Sequence, residues 1–424
     1  MGSPRDAALE RACAIVARKD VQPLRRALFA RKAQRDAAIR AALAVWARLP
    51  TREARVAFVS LYGAHAHAQV RWPARDALVL AVHAYRNEER QLRALAALDP
   101  RLDVASITLA TPRASALARG ALAIRRARSV LASYADGDFL VAARVAATAG
   151  SFLRMDEALA RSTARAVWVS SDGNPYAVAL ARAAASRGIR TCFVTHGHVA
   201  EGPEPLDFDL AILDGEVVRE VYARSGPIRG RVVLRGTEGA ARPMCVTRLE
   251  GGIETLGVLA SILVDYARLG DTIRRLRESL RPRRVLLRLH PNLEMRDPHW
   301  RRALASPDVV VSDGGRTLEE DLDASDLVVA GNSSVHLGAL KRGVPSAYDP
   351  RLDDAPDDYY RFVEMGIVPR LASELSPSAS CASLRAFFED PQWAARFARF
   401  DAGYLDPEAR AREVREALRE LVRA

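Results

Sequence analysis

The segment from Val285 to Pro350 decides the fold. It contains three short apolar runs, VLLRLHPN (Val285–Asn292), DVVVSD (Asp308–Asp313) and DLVVAGNSS (Asp326–Ser334), with polar, helix-favouring residues between them. Each run is rich in Val and Leu, is too short for a helix and ends in a turn, which is typical of parallel βαβ units. Ligands of open α/β sheets bind at the carboxyl ends of the strands. The residues that follow these runs are therefore the candidates for a functional site.

Two motifs follow strands of this segment. His290-Pro291-Asn292 follows the first strand, and Asn332-Ser333-Ser334 follows the third, directly before a predicted helix. An imidazole, two hydroxyls and the unpaired backbone N–H groups of a helix start suit a phosphate. We therefore expect these six residues to bind the phosphate of an activated sugar, with His290 also stabilising the departing group. In the alternative interpretation, the serines are only a helix N-cap and His290 is an exposed turn residue.

A glycine pair ends the second strand, in Ser312-Asp313-Gly314-Gly315. A Gly-Gly turn at a strand end exposes backbone groups that can contact the edge of a nucleobase. Ser312 and Gly314 are therefore further candidates for nucleotide binding.

The first half of the chain repeats the alternation of strands and helices. The predicted strands are Ala54–Gly63, Asp76–His83, Leu102–Ala110, Ala164–Gly173, Ile189–His198, Asp207–Glu216 and Gly230–Gly236. We predict an α/β protein with two Rossmann-like domains that face a central cleft, with extra helices at both ends. The predicted parts are N-terminal helices in 1–50, a first Rossmann-like domain in 51–240, a second in 251–375, and helices in 376–424 that pack back across the cleft onto the first domain.

Two further candidates follow strands of the first domain. Asp172, in Ser171-Asp172-Gly173, is placed to take a proton from an acceptor hydroxyl. Its alternative role is to cap the helix that begins near Asn174. His196, in His196-Gly197-His198, is the second catalytic candidate. Gly197 turns the chain there and no third ligand is nearby, so we expect no metal site.

Composition narrows the class of protein. The chain has 424 residues, a hydrophobic content of 49%, a net charge of +11 and only four Cys with no CxxC spacing. No signal peptide, long apolar run, P-loop or dinucleotide fingerprint is present, so we expect a cytoplasmic protein without a cofactor. The positive charge favours anionic partners, including the inner face of a bacterial inner membrane. The Arg clusters lack interleaved aromatic residues, so we expect no nucleic-acid partner.

The motifs RLHPN (Arg288–Asn292) and DLVVAGNSSVHLGALKRGVP (Asp326–Pro345) resemble those of bacterial glycosyltransferases with the GT-B fold. They are similar to sialyltransferases and Kdo transferases, which use CMP-activated acidic sugars, and to CDP-glycerol glycerophosphotransferases. The resemblance implies that His290, Ser333 and Ser334 contact the nucleotide phosphate and that no metal is needed. Ser171-Asp172-Gly173 is similar to the acidic-acidic-Gly motif of sialyltransferases, with Ser171 in place of the first acid, and implies that Asp172 is the base.

The sequence therefore predicts a metal-independent glycosyltransferase of capsule, lipopolysaccharide or teichoic-acid synthesis. Its donor would be a cytidine-activated sugar or polyol, and its acceptor a glycan or lipid-linked glycan. Two alternatives stay open. One is a sugar-nucleotide 2-epimerase of the same architecture, which needs no acceptor. The other is a polyanion-binding or nucleic-acid-binding protein, suggested by the net charge.

Overall fold

The chain folds into two compact units. Unit 1 comprises Met1–Leu213, Arg219–Leu234 and Ala411–Ala424, and unit 2 comprises Asp214–Val218 and Arg235–Arg410. The computed structural model describes residues 3–20, 26, 36–199, 202–261, 264, 266–290, 304, 306–312, 315–355, 357–371 and 377–423.

Unit 1 is built on a seven-stranded sheet. Its strands are β1 (Val70–Arg71), β2 (Val79–Val82), β3 (Val104–Leu109), β4 (Ala166–Val169), β5 (Arg190–Val194), β6 (Asp207–Leu213) and β7 (Arg229–Leu234). The helices up to β6 are α1 (Pro4–Asp20), α2 (Ala37–Arg48), α3 (Arg52–Gln69), α4 (Arg86–Leu98), α5 (Ala114–Ile124), α6 (Arg128–Ala132), α7 (Phe139–Leu159) and α8 (Pro175–Ala185). Helix α9 (Glu216–Ser225) precedes β7.

The strand order of this sheet is β1-β3-β2-β4-β5-β6-β7. Strand β1 pairs antiparallel with β3, and the other pairs are parallel. The chain moves outward from β2 to β3 and then returns to the other side of β2 as β4. The topological switch point, where ligands of such sheets bind, therefore lies between the carboxyl ends of β2 and β4.

One predicted strand is wrong. Ala54–Gly63 lies inside helix α3, where Val56, Val59 and Gly63 share the buried face at intervals of three and four residues. The run alternates enough to fit a strand as well, because short apolar runs fit both periods. Thr51 settles the choice, since its hydroxyl caps the helix by accepting a hydrogen bond from the N–H of Ala54 at 3.2 Å.

Unit 2 is built on a five-stranded parallel sheet. Its strands are β8 (Thr255–Leu259), β9 (Arg284–Arg288), β10 (Val309–Val311), β11 (Leu327–Ala330) and β12 (Ser346–Tyr348). Its helices include α10 (Tyr266–Leu280), α11 (Leu318–Asp323), α12 (Val335–Lys341), α13 (Pro377–Phe388) and α14 (Trp393–Phe400). The strand order is β10-β9-β8-β11-β12. This is the 3-2-1-4-5 order of a Rossmann-like sheet, with its switch point between β8 and β11.

The C-terminal helices divide between the two units. Helices α13 and α14 belong to unit 2, because Trp393, Phe397 and Phe400 complete an aromatic core with Phe362. Most of the last helix, α15 (Pro407–Arg423), belongs to unit 1. Its leucines and valines pack against the same face of the sheet as Trp168. The sequence predicts that all helices of 376–424 return to the first domain; the structure differs for the two helices whose aromatic residues fill unit 2.

No helix in the part of the chain that the structure describes is long and apolar enough to span a bilayer.

Candidate functional site

The two phosphate-binding motifs lie at one edge of the unit 2 sheet. His290 follows the carboxyl end of β9, and Ser333-Ser334 follows the carboxyl end of β11. All strands of this sheet are parallel, so their carboxyl ends meet at the same edge. Only β8 stands between β9 and β11. Two strand spacings separate the motifs by about 10 Å, which is within the reach of one nucleotide diphosphate.

His290 is half-buried at this edge, and its burial lowers the pKa of the imidazole. The ring is therefore neutral near pH 7 and acts as a hydrogen-bonding group rather than as a positive charge. The neighbouring candidates Pro291, Asn292 and Gly314 lie outside the described residues, so the structure gives no position for them.

Asn332 holds the loop at the switch point. Its side-chain amide donates to the hydroxyl of Tyr348 at 3.1 Å and to Asp353 at 3.3 Å. Its amide oxygen accepts from the N–H of Tyr359 at 2.6 Å. Because Asn332 is buried, these bonds make it a residue that fixes the loop.

Asp353 joins the two strands that flank the switch point. Its carboxylate accepts from the backbone N–H of Asn332, after β11, at 2.7 Å and from the hydroxyl of Ser261, after β8, at 3.3 Å. A Cβ on Gly331 would lie 2.3 Å from the same carboxylate, so glycine is required there. Sequence reasoning missed Asp353 and Ser261.

The two serines differ in exposure. The hydroxyl of Ser333, which is half-buried, accepts from the N–H of Val335 at 3.3 Å. Ser334 is the N-cap of α12 but makes no capping hydrogen bond with its side chain, and it is exposed. Its hydroxyl is therefore available to a ligand at this edge.

His336, which sequence reasoning also missed, holds the loop that contains Gly331 and Asn332 through a hydrogen bond. It is fully buried, and burial lowers the pKa of its imidazole to about 4. Nε2 lies 3.0 Å from the carbonyl oxygen of Gly331, which can only accept, so Nε2 carries the proton. Nδ1 then accepts from the hydroxyl of Ser346 at 2.7 Å. Its place in the apolar helix VHLGALK gave no signal of this role.

Ser312 faces inward. It is buried, and its hydroxyl donates to the carboxylate of Asp321 at 2.5 Å. Arg288 and Arg316 pair with the same carboxylate. This places Ser312 in an internal polar network, whereas the sequence predicts a contact with a nucleobase.

Asp172 follows β4 at the carboxyl edge of the unit 1 sheet. It forms a salt bridge with Lys19 of α1, and the hydroxyl of Tyr222 donates to its other oxygen at 3.2 Å. Helix α8 is capped by the side chain of Asn174, which accepts from Tyr176 N–H at 2.9 Å. The alternative role of Asp172 as the cap of this helix is therefore wrong.

Lys19 is held in a fixed position beside Asp172. It is 8% exposed, and a Cβ on Gly173 would lie 2.2 Å from its side chain, so the glycine makes room for the lysine. Ser171 and Asp172 line a small cavity with Arg182, Glu204 and Phe208. His196 is half-buried in the turn after β5.

Buried polar atoms without a partner lie near the unit 1 switch point. Ser170, after β4, is fully buried, and its hydroxyl has no hydrogen-bond partner among the described residues. Glu88 of α4 is 2% exposed; one of its oxygens accepts from Ala84 N–H at 2.7 Å, and the other has no such partner. Burial raises the pKa of Glu88. Sequence reasoning missed both residues, since neither stands in a recognisable motif.

Among the residues that the structure describes, no group of three or more His, Cys, Asp or Glu side chains could hold a metal ion.

Sequence comparisons add nothing to this geometry, because no family model and no curated protein matches the chain. Solved structures do match. UDP-GlcNAc 2-epimerase from Neisseria meningitidis, bound to UDP-GlcNAc, has a TM-score of 0.50 at 14% identity, covering 81% of this chain and 99% of that chain. MnaA of S. aureus, in a structure with UDP, has a TM-score of 0.48 at 11% identity, covering 81% and 97%.

A third match is the glycotransferase of kitacinnamycin, with a TM-score of 0.46 at 14% identity, covering 82% of this chain and 100% of that chain. At these identities the likeness to the Neisseria enzyme shows the fold alone. The predicted fold class, two Rossmann-like α/β units of the GT-B type, is confirmed.

Proposed function

We propose that this protein is an enzyme that acts on a nucleotide-activated sugar, with the nucleotide bound at the carboxyl edge of the unit 2 sheet. The observation that carries the proposal is the set of polar side chains at the switch point between β8 and β11. His290 lies on one side of it and Ser333-Ser334 on the other. Between them, Asp353 ties the two strand ends together. Because this loop is already fixed, a ligand can bind to its groups without the entropic cost of ordering the loop.

The groups at this edge suit phosphate oxygens. The hydroxyl of Ser334 and the neutral imidazole of His290 both donate hydrogen bonds, and the start of α12 adds backbone N–H groups. Donors that are fixed before the ligand arrives stabilise the charge that develops on a departing phosphate. The proposal needs no metal ion for this step.

Two reactions fit this arrangement. The first is 2-epimerisation of a UDP-sugar, which is favoured by the fold likeness to the Neisseria epimerase bound to UDP-GlcNAc. The second is transfer of a cytidine-activated sugar or polyol to a surface glycan, which is favoured by the RLHPN and Ser-Ser motifs. We place epimerisation first. In either reaction Asp172, which forms a salt bridge with Lys19, is the proposed proton-transfer group of unit 1.

Nucleotide binding tests the shared part of the proposal. In a thermal-shift screen of UDP, CDP, CMP and GDP, we expect a pyrimidine nucleotide to raise the melting temperature by mass action. The Ser334→Ala variant should show a smaller shift with the same nucleotide. If none of the four nucleotides changes the melting temperature, the proposed nucleotide site is wrong.

NMR separates the two reactions. We expect UDP-GlcNAc incubated with the protein alone to give a mixture of the two C2 epimers. Deuterium should enter at C2 when the reaction runs in D₂O, because the C2 proton exchanges during epimerisation. Turnover that requires both a CMP- or CDP-activated donor and a glycan acceptor would establish transfer instead.

A further inference from the structure

A continuous stretch of unit 1 carries positive charge with no acidic residue. Between Val104 and Ala135 the sequence contains five Arg and neither Asp nor Glu. The five are Arg113, Arg119, Arg125, Arg126 and Arg128. All five are exposed, and none forms a salt bridge with any described residue. Five exposed arginines in a stretch without an acidic residue give this part of unit 1 a strongly basic surface.

Helix α5, inside this stretch, has a buried and an exposed face. Ala116, Gly120 and Ile124 are buried at intervals of four residues. Leu122 lies on the opposite side and is 65% exposed. Residues three and four apart are neighbours on a helix surface. Leu122 is therefore surrounded by Arg119, three residues before it, and by Arg125 and Arg126, three and four residues after it.

The neighbouring helix α3 adds a second exposed leucine. The two helices pack closely, since a Cβ on Gly120 would lie 2.4 Å from the carbonyl oxygen of Ala64. Leu61, one turn before Ala64 on α3, is 63% exposed. We call Leu61, Leu122, Arg119, Arg125 and Arg126 the α3–α5 surface.

The electrostatic surroundings of Arg154 show that the positive charge extends beyond the five arginines. Burial lowers the pKa of the Arg154 guanidinium, and the charges of Arg161, Arg119 and Arg71 lower it further, against the opposing effect of Glu157. Arg119 of the α3–α5 surface therefore lies within electrostatic range of Arg154. A cluster of like charges at a protein surface is relieved by an anionic partner.

We propose that the α3–α5 surface docks on a bilayer that contains anionic lipids. Exposed leucines enter the boundary between headgroups and acyl chains, while the surrounding guanidinium groups pair with lipid phosphates. Binding of nucleic acid fits less well, because single strands need aromatic residues for stacking and Tyr134 is the only aromatic residue of the stretch. The inference is independent of the proposed reaction, since none of these residues belongs to the candidate site.

Vesicle binding tests the proposal. The full-length protein is sedimented with vesicles of phosphatidylcholine alone or mixed with phosphatidylglycerol, at low and high salt. We expect binding only to the anionic vesicles, and weaker binding as salt rises. The triple variant R119Q/R125Q/R126Q should lower the association constant by about a hundredfold. Leu122→Ser should lower it by about tenfold.

A matched control removes the same net charge elsewhere. Arg86, Arg101 and Arg165 are exposed residues of unit 1 outside the α3–α5 surface. The triple variant R86Q/R101Q/R165Q should bind the vesicles as the unmodified protein does. An equal loss in both triple variants would show that net charge alone is responsible and would overturn the proposal.

Three further outcomes would contradict it. The first is absence of binding to anionic vesicles. The second is binding of an oligonucleotide that the first triple variant loses while vesicle binding is unaffected. The third is self-association in sedimentation velocity that Leu122→Ser abolishes, which would make the surface an interface between copies. Leu122→Trp gives a direct readout: its added fluorescence should shift to the blue with anionic vesicles and remain unshifted with neutral ones.

Discussion

The carboxyl edges of the two sheets differ in how completely their polar groups are paired. At the unit 2 edge, Asn332, Asp353 and His336 each make two or more hydrogen bonds within the unit. At the unit 1 edge, the hydroxyls of Ser170 and Thr195 are buried without a partner among the described residues. The first edge is a fixed support that presents a few exposed groups. The second has buried hydroxyls without a partner among the described residues, together with the Lys19–Asp172 salt bridge.

This difference suggests a division of roles. Buried polar groups are expected to be paired, and exceptions concentrate at functional sites. A fixed edge suits a ligand group of constant shape, such as a nucleotide phosphate. An edge with unpaired hydroxyls and the Lys19–Asp172 pair suits a ligand that carries several polar groups. The following predictions test this division, from the largest expected effect to the smallest.

Asp172→Asn should lower kcat by about a thousandfold, because it removes the proposed proton-transfer group while keeping its shape. The nucleotide-induced rise in melting temperature should not change. Steady-state kinetics and thermal shift on the same preparations measure the two effects. If the variant also loses nucleotide binding, the two edges do not have the separate roles proposed for them.

His290→Ala should slow turnover by about ten- to a thousandfold, the usual effect of one donor that stabilises developing charge. Burial lowers the pKa of this imidazole, so the rate of the unmodified protein should not fall through loss of a charge on this ring as the pH rises from 7 to 8. Unchanged turnover in the variant would remove His290 from the site.

His336 should make stability depend on pH. Its folded pKa is about 4, below the ordinary value of 6.5, so the unfolded chain binds more protons between these values. The free energy of unfolding should therefore fall as the pH decreases from 6.5 to 4, by about 3 kcal/mol. Urea unfolding at several pH values measures this effect. His336→Gln should lose this part of the dependence; an identical pH profile would contradict the assignment.

Asp353→Ala should destabilise the protein by about 2 kcal/mol, because it leaves buried donors of Asn332 and Ser261 without their acceptor. Asp354→Ala is the matched control. Asp354 is exposed and pairs with Arg268 at the surface, so its loss should have little effect on urea unfolding. Equal effects of the two changes would show that Asp353 does not fix the switch point.

Ser334→Ala should weaken nucleotide binding by about tenfold, the effect of one hydrogen bond to a charged group. Stability should not change, because the hydroxyl makes no capping bond in α12. Isothermal titration with the nucleotide found in the thermal-shift screen measures the affinity. A loss of stability with unchanged affinity would make Ser334 a structural residue.

Much of the architecture follows from the sequence alone. The Val- and Leu-rich runs and their turns predict the parallel strands of both units, and the structure has strands within six of the seven runs predicted in the first half. The error at Ala54–Gly63 arose because a short apolar run does not distinguish a strand from a helix. The positions of His290 and Ser333-Ser334 at one sheet edge also follow from the sequence, because parallel strands share the direction in which they end.

Only the tertiary structure decided which side chains meet. Lys19 and Asp172 are 153 positions apart, and no local pattern links them. Ser261 and Asp353 are 92 positions apart and meet because β8 and β11 are neighbours in the sheet. Periodicity and turn residues act over a few positions, so they fix the elements and the ends of the strands. Salt bridges, burial and the pKa values that follow from them depend on packing between distant segments, which the order of residues does not display.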